Sequence, residues 1–187
     1  MPSLSEADRR AALHLARTAV VEAVSQRKFP DAFPREGAFA EPRGVFVTLH
    51  VRNRLQGCIG VIEANEPLGE GIVRCAASAA LEDTRFSPMK PEQLDEFSIE
   101  ISLLSPMEPI APEAIEIGRH GLFVRLHAQR GLLLPQVAVE HRLTREQFLE
   151  ETCRKAGLPR DAWRDPEARL FGFTCEVFSE RLNSAEA

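Results

Sequence analysis

Tyrosine is absent from this chain and tryptophan occurs once, at Trp163; the 6% aromatic share rests almost wholly on eleven phenylalanines. The paired surface aromatics on which RNA-recognition sheets stack bases are missing. Positive charge is also short. Lys plus Arg number 23 against 28 Asp plus Glu, a net charge of −5, which disfavours non-specific phosphate binding, so nucleic acid is not an expected partner. No apolar run approaches the ~18 residues of a membrane span, and no apolar export core follows Met1. The expectation is a cytoplasmic chain with no membrane partner. Cys58, Cys75, Cys153 and Cys175 lie far apart without a Cys-x-x-Cys pair, which argues against a zinc ribbon or a thioredoxin motif and for four reduced thiols. His14, His50, His120, His127 and His141 are equally scattered, with no His-Glu-x-x-His. The P-loop, Gly-x-Gly-x-x-Gly, Gly-x-Ser-x-Gly and kinase motifs are all missing. No cofactor and no metal can be assigned from motifs.

What is present is globular: 187 residues, 44% hydrophobic and 27% charged, enough for one domain over 1–187 and short for two independent cores. From Ser5 to Lys28, Ala12, Leu15, Ala16, Ala19, Val20, Ala23 and Val24 recur at helical steps, and Ser5 with Asp8 forms a start box. Phe29 to Gly44 carries Pro30, Pro34 and Pro42 and three phenylalanines, a fixed, packed loop. Val45, Val47, Leu49 and Val51 alternate with polar positions. A turn at Arg52–Arg54 returns the chain as a second strand, Leu55 to Ile62, with Gly57 and Gly60 marking a bulge or a close backbone approach. Pro67 opens a helix to about Arg85. Phe97 to Leu103 alternates as a strand, and Ser105 to Pro112 is a second proline-fixed linker. Strands follow at Leu122–His127 and Leu132–Leu134. A helix is capped by Thr144 and Gln147 and closed by Gly157, and a last strand spans Arg169–Phe178. Hairpins mixed with helices, without strict βαβ alternation, give an α+β class.

Four segments can carry chemistry. In Leu55-Gln56-Gly57-Cys58-Ile59-Gly60 the thiol is bracketed by glycines and can act as a nucleophile or redox centre. The plain alternative, favoured by residue statistics, is a small side chain turned into the core. In Glu82–Pro88, Asp83 and Arg85 sit at a helix end, where they can turn into a cleft or form a solvated charge pair. Glu100, between Ser98 and Ser102, is a general acid or base if its strand face is covered and a surface carboxylate if it is open. His120, in Gly118-Arg119-His120-Gly121, is a mobile titratable group or an ordinary turn residue, and Gln136 after Pro135 lines a site or is a loop amide.

Taken together, Gly57-Cys58-Ile59-Gly60, Asp83-x-Arg85-Phe86-x-Pro88, Ile99-Glu100-Ile101-Ser102, Gly118-x-His120-Gly121-Leu122, Leu133-Leu134-Pro135-Gln136-Val137 and Phe148-Leu149 through Cys153 to Lys155-Ala156-Gly157-Leu158 resemble the AMMECR family, in order and over nearly the whole chain. Its bacterial members are called AmmeMemoRadiSam system protein A, after Memo-like and radical-SAM neighbours. The resemblance implies an α+β domain of two closely joined subdomains with antiparallel sheets flanked by helices, the larger built from both chain ends and the smaller from the middle. It implies a cleft between them lined by the Cys58 segment. Two positions depart from the family pattern: Gln56 stands where an arginine is usual, and Leu143 where a tryptophan often precedes the late helix.

The resulting expectation is an enzyme or redox accessory protein with a cleft thiol. Cys58, Asp83, Arg85 and Glu100 would be catalytic, Gly57, Gly60, His120 and Gln136 would line the cleft, and Memo-like and radical-SAM proteins would be partners. The alternative is a non-catalytic binding module using the same cleft, in which backbone geometry at Gly57–Gly60 matters more than the thiol.

Overall fold

A computed structural model describes residues 3–27, 29, 33–63 and 65–180. The ends of two expectations, Lys28 of the first helix and Pro30 of the proline loop, lie outside them. The fold is α+β, with two antiparallel four-stranded sheets and four α-helices among the described residues. By its contacts the chain divides into two compact units. One runs to Leu104 and resumes at Glu176, and the other is Ser105–Cys175.

In the first unit, helix α1 (Glu6–Gln26) starts where Ser5 Oγ accepts the Asp8 N–H at 3.1 Å. The start box is completed differently from the sequence reading, because the Ser5 hydroxyl donates to the Asp8 carboxylate at 2.6 Å. Strands β1 (Val45–Val51) and β2 (Arg54–Val61) form the expected hairpin, turned by Arg52 and Asn53 at φ of 51° and 62°. That left-handed pair is the turn whose twist suits a two-residue hairpin. Helix α2 (Leu68–Leu81) follows, then β3 (Phe97–Leu104), and the sheet order is β2-β1-β3-β8. Val45, Val47 and Leu49 of β1 and Ile99, Ile101 and Leu103 of β3 share one face, and all six are buried. Their cover is the alanine-rich stripes of the two helices, Ala12, Ala16 and Ala19 from α1 and Ala76, Ala79 and Ala80 from α2. Small side chains bring helix and sheet backbones close together. Of the phenylalanines in the loop before β1, Phe39 is buried and Phe33 packs on this core, while Phe29 is exposed.

The second unit holds β4 (Glu108–Pro109), β5 (Gly121–Leu126), β6 (Gln129–Leu133) and β7 (Arg169–Phe173) in the order β4-β7-β5-β6, with α3 (Pro135–Glu140) and α4 (Arg145–Lys155). Thr144 and Gln147 cap α4 reciprocally, as their spacing predicts. Phe148 and Leu149 of α4 pack with Leu122, Ile115 and Ala138. Three expectations change. The linker after Ser105 contributes β4, paired to β7 at Pro109–Phe171. Pro135 opens a short helix. The single last strand is two: the strand is interrupted at Thr174, and β8 (Cys175–Ser179) joins the other sheet.

Removal of the fully buried Phe148 ring tests this packing. Phe148→Ala is expected to cost about 3–5 kcal/mol. Urea unfolding followed by the fluorescence of Trp163, which packs in the same unit, should show a lowered midpoint; an unchanged midpoint contradicts the assignment.

Candidate functional site

Cys58 lies on β2, the edge strand of the first sheet. Which way its thiol faces is decided by a bulge. Counting back from the turn, Val51 pairs with Arg54 and His50 with Leu55. Then the register shifts, Leu49 pairs with Gly57, and Gln56 has no opposite residue. Beyond the shift Thr48 faces Cys58. Without the extra residue Cys58 would face Val47 and point into the core, because a one-residue slip exchanges the two faces of a strand. The core reading of this thiol is therefore corrected: Cys58 is half-buried on the polar face, and Thr48 Oγ1 donates to its Sγ at 3.3 Å.

On the other face Gly57 rests on α2. A Cβ built there would lie 2.0 Å from the Ala79 carbonyl oxygen, closer than any side chain permits. The close approach expected of a glycine inside this strand is thus made by a helix backbone. Gly60 is also tight, with a Cβ position 2.3 Å from the Phe46 ring.

The outward main-chain groups of Cys58 have no neighbouring strand, and Asp83 and Arg85 replace it. Helix α2 ends at Leu81, four residues before the expected end, so this pair occupies the loop beyond it. Asp83 Oδ2 accepts the Cys58 N–H at 2.9 Å, and Arg85 Nη2 donates to the Cys58 carbonyl at 3.2 Å. Asp83 also takes Arg85 Nη2 at 2.6 Å, Arg85 Nε at 2.9 Å and the Arg85 N–H at 3.2 Å. Its side chain is only 5% exposed, so of the two alternatives for this pair the solvated one does not hold for Asp83, and the pair forms a clamp on Cys58. The Arg85 hydrogen bonds, helped by the Cys58 N–H, hold the Asp83 carboxyl well below the usual carboxylate range against the opposing effect of burial. Arg85 remains 57% exposed and has the Cys58 side chain among its electrostatic and hydrogen-bonding neighbours. The loop is pinned further by the Met89 N–H on the Ala80 carbonyl, with Met89 fully buried.

Glu100 shares the Cys58 row one strand further in, since Thr48 faces Glu100 on β3. Two strand spacings place its backbone about 10 Å from that of Cys58. Of the other thiols Cys75 and Cys153 are buried, and Cys175 is half-buried like Cys58. Burial pushes Cys75 up to about 12, against the lowering effect of Arg74, and burial also raises Cys153.

The AMMECR1 family model matches residues 13–178. The chain belongs to the AMMECR1 family. It is 43% identical over 187 residues to a protein of Methanothermobacter thermautotrophicus, covering 95% of this chain and 96% of that one. It is 42% identical over 184 residues to a protein of Aquifex aeolicus, with 93% of each covered. Among solved structures it is similar to an uncharacterized protein of Pyrococcus horikoshii, with a TM-score of 0.85, 38% identity, and 95% of this chain and 94% of that one covered.

Gln56 is the bulge residue, and its Nε2 donates to the Ser87 carbonyl at 2.8 Å, tying the bulge to the Asp83 loop. The cation beside Cys58 is Arg85. Arg52 pairs with Glu96 instead, and Arg54 is exposed. Cys58, Gly57, Asp83 and Arg85 are thus joined by direct contact. Gly60 and Glu100 share their sheet. His120 and Gln136 belong to the second unit. The His120 ring is not loose there, since its Nδ1 accepts the Glu116 N–H at 3.1 Å, and Gln136 lies in the first turn of α3. Thr48 and His50 were missed as site residues. The alternation of β1 places them on the Glu100 face, but only the register sets Thr48 opposite Glu100 and His50 opposite Ser98.

Two outcomes test the clamp. Gly57→Ala is expected to destabilise by about 3 kcal/mol or more, read as a lowered denaturant midpoint. Asp83 has a lower pKa folded than unfolded, so its contribution is complete above about pH 4 and is lost as pH falls further. Asp83→Asn is expected to be less stable at pH 7 and to lose less stability between pH 5 and pH 2. Parallel acid curves for the two proteins would contradict the clamp.

Proposed function

We propose that this AMMECR1-family protein acts through the Cys58 thiol, as an enzyme or a redox or modification accessory protein working with Memo-like and radical-SAM partners. The carrying observation is that one Asp–Arg pair fixes both main-chain groups of Cys58 while its side chain stays half-exposed beside a hydroxyl and a guanidinium. Fixing the backbone of one residue fixes where its sulfur meets a substrate, which is what nucleophilic or redox chemistry at a thiol requires. Arg85 supplies charge to an anionic group approaching the sulfur, and Thr48 supplies an O–H. Asp83 is a positioning residue in this reading. Four donors occupy its carboxylate, which leaves it no part as a proton acceptor. The partner classes rest on the likeness to bacterial members of the AmmeMemoRadiSam system.

A binding module is the second reading, favoured by that same spent carboxylate. A clamp whose hydrogen bonds all go to Cys58 and Arg85 serves backbone geometry equally well. In that case Cys58→Ser keeps partner capture and Gly57→Val abolishes it.

Alkylation by iodoacetamide, followed by mass spectrometry across pH 6–10, tests the first reading. Cys58 is expected to react at pH 8 at least about tenfold faster than Cys75 and Cys153, which are buried and whose burial disfavours the thiolate. A Cys58 rate no faster than theirs overturns the thiol function and leaves the binding module.

A further inference from the structure

We infer that the polar face of the first sheet carries a binding site for a primary ammonium group, built by Glu100, His50, Ser98 and Ser179. This is independent of the thiol reading. A cavity of about 260 Å³ opens on that face, and these four residues line it together with Asn53 and Glu180. The β1–β3 register explains the grouping: His50 faces Ser98 and Thr48 faces Glu100, so alternate residues of both strands converge on one side.

The charges of the cavity do not balance internally. Glu180 is satisfied, taking Arg17 Nε and Nη2 at 2.7 and 2.5 Å and the Ile99 N–H at 3.1 Å. Arg17 is in turn held by the Phe97 carbonyl and stacked over the Phe97 ring. The nearby Arg52, beside Asn53 at the hairpin turn, is committed to Glu96. Among the described residues nothing pairs with Glu100, and the side chains of His50, Ser98 and Ser179 also lack a protein partner. A half-buried carboxylate without a cation, beside two free hydroxyls and an imidazole, is a set of acceptors awaiting donors.

The occupant must then bring one positive charge and several N–H groups. A primary ammonium has three donors directed away from its carbon, which suits Glu100 and two neighbouring oxygens or the imidazole. A divalent cation fits poorly, because no group of three His, Cys, Asp or Glu suited to a metal exists among the described residues. The volume accepts an ammonium with a short alkyl arm, from a free amine or a lysine side chain.

Backbone amide shifts of the full chain, titrated with n-butylammonium, n-butylguanidinium, n-butanol and acetyl-Gly-Lys-Gly-amide, test the site. Saturable shifts at His50, Ser98 and Glu100 are expected with n-butylammonium, at millimolar affinity. Tighter binding of the peptide assigns the site to a protein lysine, and weaker binding assigns it to a free amine. Glu100→Gln is expected to lose about tenfold in affinity, and the control Glu96→Gln is expected to lose none. Retained amide dispersion in each variant shows that it folds. The proposal is overturned if n-butylammonium gives no saturable shift, if n-butanol or n-butylguanidinium binds as well, or if Glu100→Gln binds as tightly as the parent.

Discussion

An edge strand leaves every second main-chain N–H and C=O without a partner, and in the first sheet the Asp83 carboxylate answers that deficit at Cys58. Burying a carboxylate costs several kcal/mol unless charge and hydrogen bonds compensate. Here Arg85 supplies the charge and three of the donors, and Cys58 supplies the fourth. The arrangement depends on where α2 stops. The Glu82 N–H still closes on the Ser78 carbonyl, so the next residue is the first free to turn back toward β2. It depends equally on Gly57, because only a residue without a Cβ lets β2 lie on the Ala79 carbonyl. Helix end, strand edge and loop therefore hold one another, and a change at any of the three is felt at the sulfur.

The same sheet divides its chemistry by face. One face gives Val45, Val47, Leu49, Ile99, Ile101 and Leu103 to the core, and the burial of these apolar side chains stabilises the unit. The other face is freed from packing and carries Cys58, Thr48, His50, Ser98 and Glu100. A reactive or binding group placed there is backed by a layer that cannot move without opening the core. Thr48 stands between Cys58 and Glu100 in their row, so the backbones of the two lie about two strand spacings apart, and Arg85 is the charged side chain bonded at Cys58.

Much of this was readable in the chain. Period-two alternation located β1 and β3 because each has one wholly apolar face. The Thr144–Gln147 box and Gly157 bracketed α4 because capping is a local hydrogen-bonding matter. Glycine in a strand announced the close approach at Gly57. The misses share one physical cause, the absence of a local signal. The two-residue β4 has no period, and the six-residue α3 has too few turns for a stripe. The Arg169–Phe178 run keeps its alternation through Thr174, and its one glycine, Gly172, sits inside β7 rather than at the change of sheet. Burial of Asp83 depends on an edge strand arriving from 25 residues earlier in the chain, and no spacing within Glu82–Pro88 encodes that.

The orientation of Cys58 is the sharpest case. Burial statistics for a cysteine in a strand favour the core, and simple counting from the Arg52–Asn53 turn agrees, since it sets Cys58 against Val47. The single unpaired residue Gln56 reverses that outcome for the rest of β2. Ile59 moves to the core face opposite Val47, Gly57 faces the helix, and Cys58 reaches the polar face opposite Thr48. A bulge survives only where its extra residue finds partners, and the Gln56 amide finds the Ser87 carbonyl in the loop that also carries Asp83 and Arg85. Gln56 is thus the residue that sets the register of β2 beyond the bulge. Its amide is the donor that holds the bulge to the loop, and the charge beside Cys58 comes from Arg85.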